Sequence, residues 1–171
     1  MPFPLRSNVP FGDLPVHFPE CARPAFLAAD LGFGAFIERN QPRYARYAAI
    51  RLDRQESVPG VVYATLSFAH VHWDWLLSRR SLAADVWEEL RLQVGRCAGT
   101  VSAQDADVAT LYQSLPETGA DSVLLCHSLG LDVPEAAELM GLEPPAVEAA
   151  LGAARRSLPH VLGKRTLLMR P

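Results

Sequence analysis

The sequence predicts an all-α fold of two helical domains joined by a short linker, the second built on a helix-turn-helix. Three observations carry that expectation. Apolar residues recur at mixed spacings of three and four through most of the chain. No stretch has the alternation of a half-buried strand, and no internal repeat competes. Breaks at Pro116, Gly130 and Gly141 cut the second half into short segments of helical length. A length of 171 residues with 49% hydrophobic content suits one compact domain or two small ones.

Residues 1–24 stand apart as a proline-rich arm. Pro2, Pro4, Pro10, Pro15, Pro19 and Pro24 remove too many backbone donors for a regular helix, so an extended arm is expected. Phe3, Phe11 and Phe18 give it apolar side chains able to insert into grooves on the first domain or on a partner.

Residues 25–97 read as three or four helices around an aromatic core. Phe33, Phe36 and Ile37 lead into Tyr44, Tyr47, Ala48 and Leu52 at helical spacing. Asn40 can cap a second helix there, with Pro42 tolerated in its first turn. Pro59-Gly60 marks a break, Val61 to Leu77 is an apolar segment, and Ser81 suits the N-cap of a helix carrying Val86, Trp87, Leu90 and Val94. Trp73, Trp75 and Trp87 are expected in the core. Residues 98–110 form the linker, 111–160 the helix-turn-helix domain and 161–171 a basic tail.

Composition excludes several classes of function. Sixteen Lys and Arg against nineteen Asp and Glu give a net charge of −3, so the whole chain has no strong attraction for nucleic acid or an anionic membrane. No apolar window approaches a membrane span, and Met1 to Arg6 lacks the apolar stretch of a secretory signal, so the expected location is the cytoplasm. Cys21, Cys97 and Cys126 are scattered, which suits buried reduced thiols. His70 and His72 have no Cys or carboxylate at ligand spacing. No catalytic motif, phosphate loop or metal motif occurs, so the chain is expected to be no enzyme and to need no cofactor and no metal.

The informative segment is Val133 to Val147. A short helix carries Ala136, Ala137, Leu139 and Met140, and Gly141 can take the left-handed conformation that ends it. Leu142 plugs the angle, Pro144-Pro145 opens the next helix, and Val147 and Leu151 anchor it. Two helices joined by so short a turn make a helix-turn-helix, whose second helix enters the groove when such a unit binds DNA.

Leu115-Pro116-Glu117, the run Val123 to Leu131, the helix-turn-helix and Ala153 to Leu158 together resemble region 4 of the sigma-70 superfamily, as found in the small two-domain sigma factors of the extracytoplasmic-function kind. Phe36 to Leu52, Val61 to Leu66, Trp73 to Leu77 and Trp87 resemble region 2 of the same factors more faintly. The resemblance covers roughly residues 25–160. It implies a bacterial transcription protein. Its partners would be RNA polymerase, a sigma-like protein or another regulator, with a homo- or hetero-dimer left open.

The chain departs from that pattern where the family makes its contacts. Members usually carry an acidic pair and a Gln in the helix that docks on polymerase; the matching positions here are Pro59-Gly60 and Tyr63. The second helix of the helix-turn-helix usually starts at Ser or Thr and carries several bases. Here Glu143 stands at the start and Glu148 follows. Nine acidic residues and no Lys or Arg lie between Arg96 and Arg155, so DNA contact by the isolated chain is expected to be weak. Arg155, Arg156, Lys164 and Arg165 offer a basic end for DNA or a partner.

Arg39, Arg43 and Arg46 share one helical face. That face is simply solvated, or docks the acidic second block or a partner, or contacts DNA. The expected function is that of a divergent sigma-like regulator acting through protein contacts. The alternatives are a DNA-binding transcription factor or sigma factor, and a helical protein unrelated to transcription.

Overall fold

The computed structural model describes residues 31–52, 54–97 and 106–159. Among the described residues every regular element is a helix. None of these helices is long and apolar enough to cross a membrane.

The first domain opens with α1 (Leu31–Arg51), a single helix that passes straight through Asn40 and Pro42. The cap expected at Asn40 is therefore absent. Pro42 costs an interior helix about 3 kcal/mol, whereas burying one large apolar side chain returns about 1.5–3 kcal/mol. Phe33 lies before the proline and Tyr44, Tyr47 and Ala48 after it, all buried, so continuity wins. Asn40 is itself buried and donates to the Phe36 carbonyl at 2.9 Å.

A 3₁₀ turn at Gln55–Ser57 leads into α2 (Val58–Val71). Pro59 and Gly60 occupy its first turn, where a missing N–H has no partner to lose. The apolar run that follows divides at His72, and α3 (Trp73–Leu77) is a short helix. Trp73 and Trp87 are core residues, but Trp75 is 49% exposed, with the Arg79 guanidinium 4.9 Å from its ring centroid. The expectation of three core tryptophans holds for two. Trp75 fails because α3 is one turn long and buries only Trp73 and Leu76.

Ser81 caps α4 (Leu82–Cys97): its Oγ accepts the Ala84 N–H at 3.2 Å and its carbonyl accepts that of Asp85 at 3.3 Å. Val86, Trp87, Leu90 and Val94 form the buried stripe of this helix.

The second domain starts with α5 (Ala106–Ser114), and Pro116 then opens α6 (Glu117–Val123). A π-helical turn, Leu124–Ser128, widens the end of α6. Gly130 reverses the chain with φ +70°. A capping box starts α7 (Val133–Met140): Asp132 accepts the Glu135 N–H at 2.7 Å, and Glu135 accepts that of Asp132 at 3.1 Å.

Gly141 ends α7 at φ 66° and ψ 32°. Its N–H bonds the Glu138 carbonyl at 3.2 Å and that of Leu142 bonds Ala137 at 2.9 Å, the paired closure that turns a chain sharply. α8 (Pro144–Ser157) packs on α6 and α7 through Val147, Leu151 and Ala154. The fold is thus two helical domains, the second containing a helix-turn-helix. α4 also packs on α7, so one apolar core runs through both domains.

Candidate functional site

The surface where the two domains meet centres on a carboxylate inside an apolar run. Gly119 to Leu125 is buried residue by residue, which puts Asp121 at 0% exposure. A lone buried carboxylate is costly unless it is paired and hydrogen-bonded. Asp121 meets that requirement largely from the other domain. Tyr47 of α1 donates to Oδ1 at 2.8 Å, and Trp87 of α4 donates to Oδ2 at 3.4 Å. The Arg91 Nε of α4 pairs with Oδ2 at 3.3 Å. Tyr112 of α5 adds a short hydrogen bond to Oδ1 and lies 3.3 Å from the Tyr47 hydroxyl.

Arg91 extends the cluster outwards. It pairs with Glu88 on its own helix at 2.8 Å and with Glu117 on α6. The Arg51 guanidinium lies 3.5 Å from the Tyr112 ring centroid, a cation–π contact from α1.

Nearer the rim, the basic face of α1 meets the acidic face of α7. Arg39 pairs with Glu138 at 2.5 Å, and Arg43 reaches both Glu135 and Glu138 at 3.9 Å. Arg46 donates to the Leu129 carbonyl at 2.8 Å. Beside this rim the turn of the helix-turn-helix rests on the start of α4. Ser81 Oγ donates to the Gly141 carbonyl at 3.2 Å. A Cβ added at Gly141 would overlap the Ala84 backbone and Ser81 Oγ.

Burial pushes the phenols of Tyr47 and Tyr112 above their ordinary range. The neighbouring charge of Asp121 pushes both the same way, as Tyr47 does for Tyr112, and Arg51 pulls them back. A group whose folded pKa is raised adds stability that is complete below its unfolded pKa and is lost as pH rises beyond it. For tyrosine that value is about 10. The melting temperature is therefore expected to fall as pH climbs above about 10. Tyr112→Phe should flatten that fall while lowering stability at neutral pH. Thermal scans against pH read both effects; an equally steep fall in the variant would separate Tyr112 from the alkaline loss.

The remaining residues singled out by sequence lie elsewhere. Glu143 is the N-cap of α8 and makes no capping bond; Glu148 is exposed on the same helix. Arg155 and Arg156 are exposed in its last turn. Tyr63 is 61% exposed on α2. Phe3, Phe11, Phe18, Lys164 and Arg165 lie outside the described residues. Burial pushes the Cys126 thiol up, with Asp132 adding to it, which disfavours a reactive thiolate. No group of three or more His, Cys, Asp or Glu able to hold a metal occurs among the described residues.

Sequence reasoning passes over Asp121, Arg91 and Tyr112. The available signal was Asp121 itself, a single charge between Ala120 and the apolar Val123-Leu124-Leu125.

Among the described residues the chain folds as two helical domains, the second with a helix-turn-helix, and it shares that fold with a solved structure. It is similar to the solved structure of CnrH, a sigma factor of the extracytoplasmic-function kind, in complex with the cytosolic domain of CnrY. The likeness has a TM-score of 0.55 at 24% sequence identity and covers 80% of this chain and 91% of that one. No family model and no curated protein matches the chain.

Proposed function

We propose that the chain is a divergent sigma-like transcription regulator that acts mainly through protein contacts. One observation carries the reading: the helix that would enter a DNA groove presents the wrong charge at its reading end. A helix-turn-helix reads bases with the N-terminal residues of its second helix. In α8 those turns expose Glu143 and Glu148, while Arg155 and Arg156 sit at the far end. Phosphate contacts by Lys and Arg dominate affinity for a duplex, and carboxylates at the entry oppose them.

A protein partner is consistent with the likeness to CnrH, whose structure contains the cytosolic domain of CnrY. For this chain the partner class is a transcription protein: RNA polymerase, a sigma-like protein or another regulator. Affinity capture from the native cell tests the proposal and is expected to return such a protein. Capture of none, or promoter-specific initiation by core polymerase with the purified chain alone, overturns it.

The basic end of α8 favours a second reading, sequence-specific DNA binding. Exposed Arg155 and Arg156 are followed in sequence by Lys164 and Arg165. That reading requires binding that weakens steeply from ~50 to ~200 mM salt and falls on Arg155→Ala or Arg156→Ala. No binding at low salt removes it.

A further inference from the structure

We propose that the exposed face of α2 and α3 is the seat of the chain's own proline-rich arm, with the segment Leu14 to Pro19 lying across it.

Four of the five large apolar side chains left exposed among the described residues belong to these two helices: Tyr63 and Val71 on α2, Trp75 and Leu77 on α3. Tyr63, Ser67, Val71 and Trp75 recur four apart. Helical bonding carries through the junction, where the His72 N–H bonds the Phe68 carbonyl at 3.0 Å and that of Leu76 bonds His72 at 2.8 Å. The four positions therefore form one stripe. Beside it the rings of Phe68, His72 and Trp75 follow one another, 4.7 and 6.3 Å apart between centroids. Contiguous apolar surface of this kind marks a site of contact.

Charge selects the occupant. From Val58 to Ser78 the only formal charge is Asp74, so a strongly charged partner would lose hydration there with little to replace it. The segment Leu14-Pro15-Val16-His17-Phe18-Pro19 carries none. Its flanks match the end of the face in sign: Asp13 and Glu20 bracket the segment, and exposed Arg79 and Arg80 follow α3.

The chemistry of the two surfaces agrees as well. Proline-rich segments dock on aromatic surfaces because the extended helix they already favour loses little entropy on binding. That helix has three residues per turn, so Phe11 and Leu14 share one side of it and Pro15 and Phe18 the next.

The arm also joins the fold at this place. Residues 1–30 precede α1, and near the start of α1 the Phe33 ring stands 5.0 Å from that of His70 and 4.9 Å from that of Trp73, between centroids. A crevice lined by Phe33, His70, Val71, Trp73 and Asp74 opens there. Residues 20–30 link Pro19 to Leu31 and reach at most roughly 34 Å in the extended form. The stripe from Tyr63 to Trp75 is about 18 Å long. The tether is long enough to seat the segment and short enough to hold it at an effective concentration on the order of 1 mM.

The test reads paramagnetic broadening of backbone amide signals in the full chain. Cys21, Cys97 and Cys126 are replaced by Ala, and a spin label is attached through Gly12→Cys. Signals of residues 63–77 should broaden, and chemical reduction of the label should restore them. Leu14→Ser with Phe18→Ser should abolish the broadening, and so should Tyr63→Ser with Trp75→Ser. Tyr63 and Trp75 are exposed, so their replacement should leave the chain helical, which circular dichroism checks.

No broadening, broadening centred on another element, or broadening that survives either pair of substitutions overturns the seat. If the Tyr63 and Trp75 pair unfolds the chain, the arm pair decides. A spin-labelled chain is also mixed with an isotope-labelled chain that carries no spin label. No broadening between chains is expected; equal broadening there would place the arm on a second copy and overturn its seat on its own chain.

Discussion

Asp121→Ala is expected to lower the unfolding free energy by about 3–5 kcal/mol, the range for leaving a buried ionic partner unmatched. The cost does not measure what the Asp121–Arg91 pair adds, since replacing a whole buried pair by apolar groups can be neutral. It arises because the partners stay behind. Arg91 has only 17% of its side chain exposed and loses its 3.3 Å contact, keeping Glu88 and Glu117 at the rim. The Tyr47 and Tyr112 hydroxyls are left facing each other at 3.3 Å with no carboxylate to receive them. Asp121→Asn keeps the volume and an acceptor and should cost less.

The variant should also change how the protein unfolds. Tyr47, Trp87 and Arg91 belong to the first domain and Asp121 to the second, so the parent should melt in one transition. Asp121→Ala should separate it into two. Urea titration followed by near- and far-ultraviolet circular dichroism reads both effects. A loss below about 1 kcal/mol with a single transition would show that the cluster does not join the domains, since even one ordinary buried hydrogen bond is worth that much.

The sequence revealed the local devices of this fold better than its long-range contacts. Ser81 and Gly141 act through bonds to residues within four positions, so a short window of sequence contains nearly all the relevant information. The all-helical class and the helix-turn-helix were legible for that reason. Asn40-x-Pro42 was misread because a proline and a capping residue are local signals, whereas the burial of Phe33, Tyr44 and Tyr47 that overrides them is tertiary.

The meeting of Arg39 with Glu138 spans 99 positions, and charge counting left three fates open for the α1 face. The packing of α4 on α7, with the bonds of Tyr47 and Arg46 to the second domain, brings those helices together. Asp121 was legible in principle. A single carboxylate in a run otherwise fit for a core predicts a buried partner, although not that four side chains on three helices would supply it.

Gly141→Ala should be the most disruptive of the glycine substitutions, and Gly130→Ala separates its two causes. Both positions are left-handed, at φ 66° and 70°, and a side chain there costs about 1–2 kcal/mol in backbone strain. At Gly130 a Cβ meets nothing within 4 Å, so strain is the whole effect. At Gly141 the Cβ would overlap the Ala84 N and Cα and Ser81 Oγ. Two of those three atoms are backbone in the first turn of α4 and cannot rotate away. The turn and α4 must therefore part, which adds about 1–3 kcal/mol on the scale of an overpacked core and strains the Ser81–Gly141 hydrogen bond. The total expected for Gly141→Ala is about 2–5 kcal/mol, against about 1–2 kcal/mol for Gly130→Ala. The molecules that do fold should hold the helix-turn-helix away from α4, so spin labels placed through Arg80→Cys and Ala149→Cys, both at exposed positions, should report a longer distance in Gly141→Ala and the parent distance in Gly130→Ala. Equal losses of stability with equal distances would mean that the turn does not rest on α4.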